Sequence, residues 1–285
     1  MLGFKMITVR ELSKHYKDGK THALKGVSFN LDQKITSIIG RNGAGKTTLM
    51  RILATQLLPT SGTASINGYD IVKDANKIRD IAVSIPQDIE PIYYYNVFDA
   101  VRLYLSARGV GPREAKESAE KAIRKVGLWD ARGKIPPHLS GGMQRKMFVA
   151  MALAADAEVV FLDEPTTALD PLSRLEVWSA IRELKGQIVL TTHYMEEAQA
   201  LSDHVIMIND GKILAQGKVK ELLAPFDGLV RVESKKKSKS SYNVANMWIS
   251  YVKKKRAESF VMDGDIIKPV TLDDLFIKKG VDIES

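Results

Sequence analysis

An apolar run, Ile35-Thr36-Ser37-Ile38-Ile39, passes directly into Gly40-Arg41-Asn42-Gly43-Ala44-Gly45-Lys46-Thr47 and then into Thr48-Leu49-Met50-Arg51-Ile52-Leu53. This order constrains the fold more than any other feature of the chain. The first run is β-rich and short enough for a buried strand, whereas the last has the leucines and methionine of a helix. The segment between them fits the phosphate-loop pattern of two glycines followed by lysine and threonine. Its glycines let backbone N–H groups point inward around phosphate oxygens, Lys46 adds a charge for the β- and γ-phosphates, and the Thr47 hydroxyl is placed for Mg²⁺. On its own the loop specifies only a user of nucleoside triphosphates.

Two further strand ends carry polar groups. Glu158-Val159-Val160-Phe161-Leu162 ends in Asp163-Glu164-Pro165, and Ile188-Val189-Leu190-Thr191-Thr192 ends in His193. Ligands of open α/β folds bind at the C-terminal edge of the parallel strands. There Asp163 fits a carboxylate that holds Mg²⁺, and Glu164 is placed to polarise an attacking water. Between these strands and the phosphate loop lies Leu139-Ser140-Gly141-Gly142-Met143-Gln144. Ser140 reads as a helix N-cap, and the two glycines leave the first-turn amides open at the positive end of the helix dipole, an anion site. Ser-Gly-Gly alone is an ordinary cap; its neighbours give it meaning.

With these motifs in this order the chain resembles the ATP-binding cassette ATPases, the nucleotide-binding subunits of ABC transporters, over roughly residues 5 to 224. Gly40 to Thr47 resembles Walker A, Val159 to Asp163 Walker B, and Leu139 to Gln144 the signature motif. Gln87 looks like the Q-loop glutamine, Ala168-Leu169-Asp170 resembles the D-loop, His193 the switch histidine, and Tyr16 the aromatic that stacks on adenine. The resemblance implies ATP and Mg²⁺ as ligands. Tyr16, Gly40, Arg41, Asn42, Gly43, Ala44, Gly45, Lys46, Thr47 and Thr48 would hold the nucleotide; Thr47, Gln87 and Asp163 the metal; Glu164, His193, Gln87 and Lys46 would serve catalysis. It further implies that Ser140, Gly141, Gly142 and Gln144 contact a nucleotide held by a second nucleotide-binding subunit arranged head to tail. Two departures stand out: Met143 occupies the signature's fifth position with Gln144 one place later, and Thr167-Ala168 replaces the commoner serine-alanine.

The expected fold is α/β. It has a P-loop NTPase core with a mainly parallel sheet, an antiparallel β layer from residues 1 to 33 and Thr63 to Ile66, an α-helical lobe at about 96 to 145, and a small basic C-terminal appendage. The expected division is 1 to 224 for the ATPase domain and 225 to 285 for the appendage. From Leu229 to Arg256 nine basic residues stand against one acid, a balance of +8 that equals the formal net charge of the whole chain. Such clusters bind anionic lipid or nucleic acid, or form a solvated appendage. Val230, Val232, Val244, Trp248, Ile249 and Val252 argue for packing there.

Hydrophobic residues make up 45% of the chain, enough for a core, and cysteine is absent, which excludes disulfides, thiol catalysis and cysteine metal sites. No apolar run approaches the roughly 18 residues that cross a bilayer. The expectation is therefore an ATP-hydrolysing subunit at the cytoplasmic face of the membrane, bound there only through a transmembrane permease, with export favoured by Thr192-His193-Tyr194-Met195-Glu196-Glu197-Ala198 and the Met143 variant. The alternative is a soluble cassette ATPase acting on nucleic acid or ribosomes, supported by the basic tail alone; the single phosphate loop and modest helical lobe weigh against it.

Overall fold

The computed structural model describes residues 6–16, 21–238, 241–244, 246–257 and 264–284. Strand β1 (Ile7–His15) pairs antiparallel with β2 (His22–Leu31), and the sheet is extended after the phosphate loop. That loop joins β3 (Ile35–Ile39) to α1 (Lys46–Leu53), after which β4 (Ser61–Ile66) pairs with β1 and β5 (Tyr69–Asp70) with β4. This is the antiparallel layer expected from the alternation around Ile7 and Val9, both buried, with sheet order β2-β1-β4-β5; a register shift after Val9 brings Leu12 inward as well.

Helix α2 (Ala75–Ile81) leads into β6 (Ala82–Ile85), and then the helical lobe begins with α3 (Val97–Ala107) and α4 (Pro112–Lys125). Helix α5 (Gly141–Ala154) starts at Ser140 and runs past residue 145, where the lobe was expected to end. The remaining core alternates: β7 (Val159–Asp163), α6 (Pro171–Arg182), β8 (Gln187–Thr192), α7 (Met195–Leu201), β9 (His204–Asn209). A turn at Asp210 and Gly211, both with positive φ, returns the chain antiparallel as β10 (Lys212–Gly217).

The resulting six-stranded sheet has the order β10-β9-β3-β8-β7-β6, parallel throughout except for β10. Every residue of β3, β7 and β8 is buried, as strands covered on both faces require. Alternate residues serve different cores. Val160, Leu162, Ile188 and Leu190 pack with Val101, Ile123, Phe148 and Ile181 of the helices, whereas Phe161, Val189 and Ile206 pack with Leu49, Ile52 and the antiparallel layer.

After α8 (Val219–Leu223) comes a second antiparallel sheet of β11 (Leu229–Ser234), β12 (Tyr242–Val244), β13 (Met247–Lys253) and β14 (Ile266–Lys268), ordered β12-β13-β11-β14 and followed by α9 (Leu272–Glu284). Val230, Val232 and Ile249 are buried as the apolar pattern suggested, whereas Val244 is exposed. Phe226, Leu272 and Leu275 form a third core with Met195, Ala198, Val205 and Met207 of the central unit. Asp274, fully buried, accepts from Arg231 at 3.2 Å and from the Tyr251 hydroxyl at 3.0 Å.

The register of β11 and β13 separates the basic residues. Leu229 pairs with Lys253 and Ser234 with Trp248, so Lys235 to Lys237 leave one end of the pair and Lys253 to Arg256 the other. The concentrated charge of the sequence is thus two patches; Lys239 lies outside the described residues.

Candidate nucleotide site

The phosphate loop is shaped by two close approaches. A Cβ on Gly40 would lie 2.2 Å from the Ile208 carbonyl oxygen, and one on Gly45, whose φ is +105°, 2.3 Å from that of Ala23. Only glycine fits either place. Gly45 is the N-cap of α1 and offers no side chain, so the first N–H groups of the helix keep their hydrogen-bonding capacity for an anion. Lys46, 6% exposed, folds back over the loop and donates to the Gly40 oxygen at 2.9 Å and the Arg41 oxygen at 3.2 Å. Its Nζ also stands 3.5 Å from Glu164 Oε1.

A cavity of about 900 Å³ opens over this loop, lined by Tyr16, Asn42, Lys46, Thr48, Gln87 and Glu164 among others. It has the size of a small-molecule site. Gly43, Gly45 and Thr47 share the lining, while Gly40, Arg41 and Ala44 shape the loop from behind or beside it. Tyr16 stands in the wall with its hydroxyl 3.2 Å from Thr48 Oγ1, and Lys14 Nζ lies 5.6 Å from its ring centre.

The acidic edge is built by register. Asp163 pairs with Thr191 across β7 and β8, and Ile39 with Thr192 across β3 and β8, which brings three strand ends level. Asp163 Oδ1 accepts from Thr47 Oγ1 at 3.3 Å and from the Thr191 hydroxyl. Burial raises the Asp163 carboxyl above the usual carboxylate range; the two hydroxyls act against this, the charge of Glu164 adds to it, and Lys46 opposes it. A buried carboxylate and a hydroxyl, both hard oxygen donors, fit Mg²⁺, which keeps waters and phosphate oxygens for its remaining positions.

Glu164, next along, has φ +52° and Ala168 φ +62°, so a strained turn follows the strand. The Glu164 N–H donates to Thr191 Oγ1 at 3.0 Å, and its Oε2 accepts from Thr167 Oγ1 at 3.0 Å. His193 Nδ1 lies 2.6 Å from the same oxygen. Lys46, Asp163, Glu164 and His193 therefore meet at one sheet edge.

Ser140 caps α5 as its sequence suggests, Oγ accepting from the Met143 N–H at 3.2 Å. Ser140 and Gly141 are exposed, Gly142 is half-buried, and none of the segment from Leu139 to Gln144 is among the described residues that line the cavity over Lys46. The Gln144 amide turns inward and donates to the Pro136 oxygen at 3.0 Å and the Leu139 oxygen at 3.4 Å, so it fixes the loop ahead of Ser140 and does not project from it. From the same helix Arg145 donates to the carbonyl oxygens of Pro86 at 3.3 Å and Gln87 at 3.1 Å. Gln87 is exposed and borders both the large cavity and a smaller one of about 220 Å³ beside Thr47 and Asp163.

Sequence reasoning did not single out Thr191, Arg145 or Glu197. Thr191 was within reach, two residues before His193 on a recognised strand. Arg145 and Glu197 sit in charged stretches that read equally as solvated surface.

Fold and site together define a P-loop nucleotide-binding ATPase domain. A model of the family "ABC transporter" matches residues 24–167, and the chain belongs to that family. It is 36% identical over 226 residues to the daunorubicin resistance ATP-binding protein DrrA3 of Streptomyces coeruleorubidus, covering 78% of this chain and 71% of that protein. It is also 36% identical over 215 residues to human ATP-binding cassette sub-family A member 2, covering 74% of this chain but only 9% of that much longer protein. Among solved structures, an ATP-binding subunit of an ABC transporter superposes with TM-score 0.69 at 26% identity, covering 78% of this chain and 93% of that one. CbiO1 from Clostridium perfringens, part of the ABC transporter complex cbiONQ, gives TM-score 0.69 at 28% identity, covering 78% of this chain and 91% of its own. A dimeric cassette in a post-hydrolysis state bound to ADP and Pi gives 0.68 at 25% identity, covering 74% of this chain and 98% of that one.

Proposed function

We propose that this chain hydrolyses ATP and passes the resulting conformational change to a separate membrane-spanning permease that exports its cargo. The observation that carries the reading is the convergence of Lys46, Asp163, Glu164 and His193 at one sheet edge, with Glu164 hydrogen-bonded from Thr167 and 2.6 Å from His193 Nδ1. In this reading the α1 amides and Lys46 bind the β- and γ-phosphates, Lys46 leaving its loop carbonyls and Glu164 to do so. Tyr16 receives the adenine. Thr47, Asp163 and Gln87 would hold Mg²⁺, which supplies neutralisation of the phosphate charge when bound. Glu164 orients and polarises the attacking water, and His193 fixes the Glu164 carboxylate while reading the state of the γ-phosphate. The work is positioning and charge stabilisation, with no covalent intermediate on the protein.

Ser140, Gly141 and Gly142 stand away from their own chain's cavity, which supports a second nucleotide-binding subunit whose ATP they complete. The inward turn of Gln144 gives it a supporting part in that contact. In this reading the permease docks on the loop after Gln87, where Ile92, Tyr93, Tyr94 and Tyr95 are 57%, 51%, 92% and 41% exposed. That run of large apolar side chains suits a partner surface, and its continuity with Gln87 links the partner to the metal side of the site. No helix among the described residues is long and apolar enough to span a membrane, so attachment at the cytoplasmic face would come through this partner. In this reading residues 1 to 224 bind and hydrolyse, and 225 to 285 form the appendage.

The test is purification of the full chain from membranes to see whether a multi-span membrane protein accompanies it, followed by ATP turnover of the pair in vesicles. Co-purification lost on changing Tyr93, Tyr94 and Tyr95 to serine supports the reading. Salt-sensitive RNA or DNA binding without a membrane partner refutes it.

A further inference from the structure

One buried carboxyl in the central unit has no part in the chemistry described above. Glu197 on α7 has zero exposure. Its Oε1 accepts two hydrogen bonds, from Thr166 Oγ1 at 2.7 Å and from Trp178 Nε1 at 2.9 Å, while Oε2, also buried, has no hydrogen-bond partner among the described residues. The three residues come from separate elements: Thr166 from the turn after β7, Trp178 from α6, Glu197 from the helix that follows His193.

Thr166 is the centre of the strained turn. Glu164 and Ala168, its neighbours two residues away on either side, both have positive φ without being glycine. Such residues cost about 1–3 kcal/mol each and persist only where the surroundings over-determine them. Above the turn, Thr167 and His193 hold the Glu164 carboxylate; below it, the one side-chain hydrogen bond of Thr166 goes to Glu197.

We infer that Glu197 is a positioning residue: it fastens the turn from Glu164 to Ala168 to α6 and to the helix after His193, and so sets the Glu164 carboxylate against the histidine. The two donors reach Glu197 from different elements and converge on a single oxygen, which ties the turn and α6 to one side chain. Burial, the largest influence, pushes this carboxyl up, and the charge of Glu164 adds to it; the hydroxyls of Thr192 and Thr166 and the Trp178 N–H act in the opposite sense. The inference rests on the hydrolytic reading of Glu164.

The pattern makes the conservative variant informative. In Glu197→Gln the amide oxygen still accepts from Thr166 and Trp178, whereas Glu197→Ala leaves both donors unmatched in the interior. Full-chain wild type, Glu197→Gln, Glu197→Ala and Glu164→Gln are compared for ATP turnover, for KM, and for the three tryptophan indole N–H signals by ¹⁵N NMR. The expected result is kcat lowered about 10- to 100-fold in Glu197→Ala, the range of a displaced catalytic group, with KM within about twofold, and kcat within about threefold of wild type in Glu197→Gln. The Trp178 indole signal should move in the alanine variant and hold its place in the glutamine one. Glu197→Gln as slow as Glu197→Ala, an unmoved Trp178 signal in Glu197→Ala, or undiminished turnover in Glu197→Ala overturns the inference. Full turnover in Glu164→Gln would instead overturn the hydrolytic reading, and the indole signals test the fastening independently of activity.

Discussion

Replacing Ser140 separates two roles that one hydroxyl would combine. In the folded chain it caps α5 by accepting from the Met143 N–H at 3.2 Å, and in the proposed cycle it also binds a phosphate held by a second subunit. Ser140→Ala loses the cap, about 1 kcal/mol, or roughly 2–4 °C in Tm for a chain of this size. The helix survives, because Met147, Phe148, Val149, Ala150 and Ala152 remain buried in the lobe. Ser140→Asp keeps the cap, since aspartate is as good an N-cap and complements the helix dipole; its Tm should equal or exceed that of wild type. Yet its carboxylate would face a phosphoryl group. Two like charges about 4 Å apart at an effective dielectric near 20 repel by about 4 kcal/mol, a loss of roughly a thousandfold in turnover. The measurements are phosphate release with Mg²⁺·ATP, thermal melts, and binding of a fluorescent ATP analogue at concentrations where the chain is monomeric. Binding should be intact in both variants. Turnover by Ser140→Asp within tenfold of wild type, or loss of monomer binding in either variant, would refute the argument.

Lys46→Ala should abolish nucleotide binding itself, raising Kd at least about a hundredfold for the loss of a buried charge-assisted contact, checked by the same fluorescent analogue. Glu164→Gln should bind ATP normally, hydrolyse it at least about a hundredfold more slowly, and elute as a dimer with ATP in size-exclusion chromatography. Asp163→Asn should stop Mg²⁺-dependent turnover but stabilise the nucleotide-free chain. Because burial raises the Asp163 pKa, the folded state holds its proton more tightly than the unfolded state, whose value is 3.8, so stability falls as pH rises from 3.8 through the folded value. The melting temperatures of wild type and Asp163→Asn should therefore converge at the acid end of that window and part above it; a wild type that melts higher at pH 7 without nucleotide would contradict this.

Much of the site was legible because its signals are local. A glycine loop between a strand and a helix, a serine before a helix, and acids at the end of an apolar run each involve residues close in sequence. The antiparallel layer and the strand–helix alternation after β7 were legible for the same reason: short apolar runs, alternating in the layer and continuous in β7 and β8, each lie within a single strand. What escaped depends on pairing between distant segments. Lys46 resting on the carbonyls of Gly40 and Arg41 is a matter of loop shape. Thr191 meets Asp163 only through the register of β7 and β8. Glu196 and Glu197 look alike as acids in the first turn of a helix, and only the packing of α6 makes one of them interior. That the basic groups around Lys235 and Lys254 leave opposite ends of one strand pair follows only from the register of β11 with β13.

The third apolar core gives the C-terminal segment a weight that its position in the chain conceals. Met195, two residues after His193, shares that core with Phe226, Leu272 and Leu275, all from beyond residue 224. A chain cut at 224 would keep every candidate nucleotide contact yet uncover the part of the histidine's helix that packs against Phe226, Leu272 and Leu275. Shortening it would loosen the support of that helix before it touched His193 itself, so Phe226, Leu272 and Leu275 belong to what any minimal version must retain.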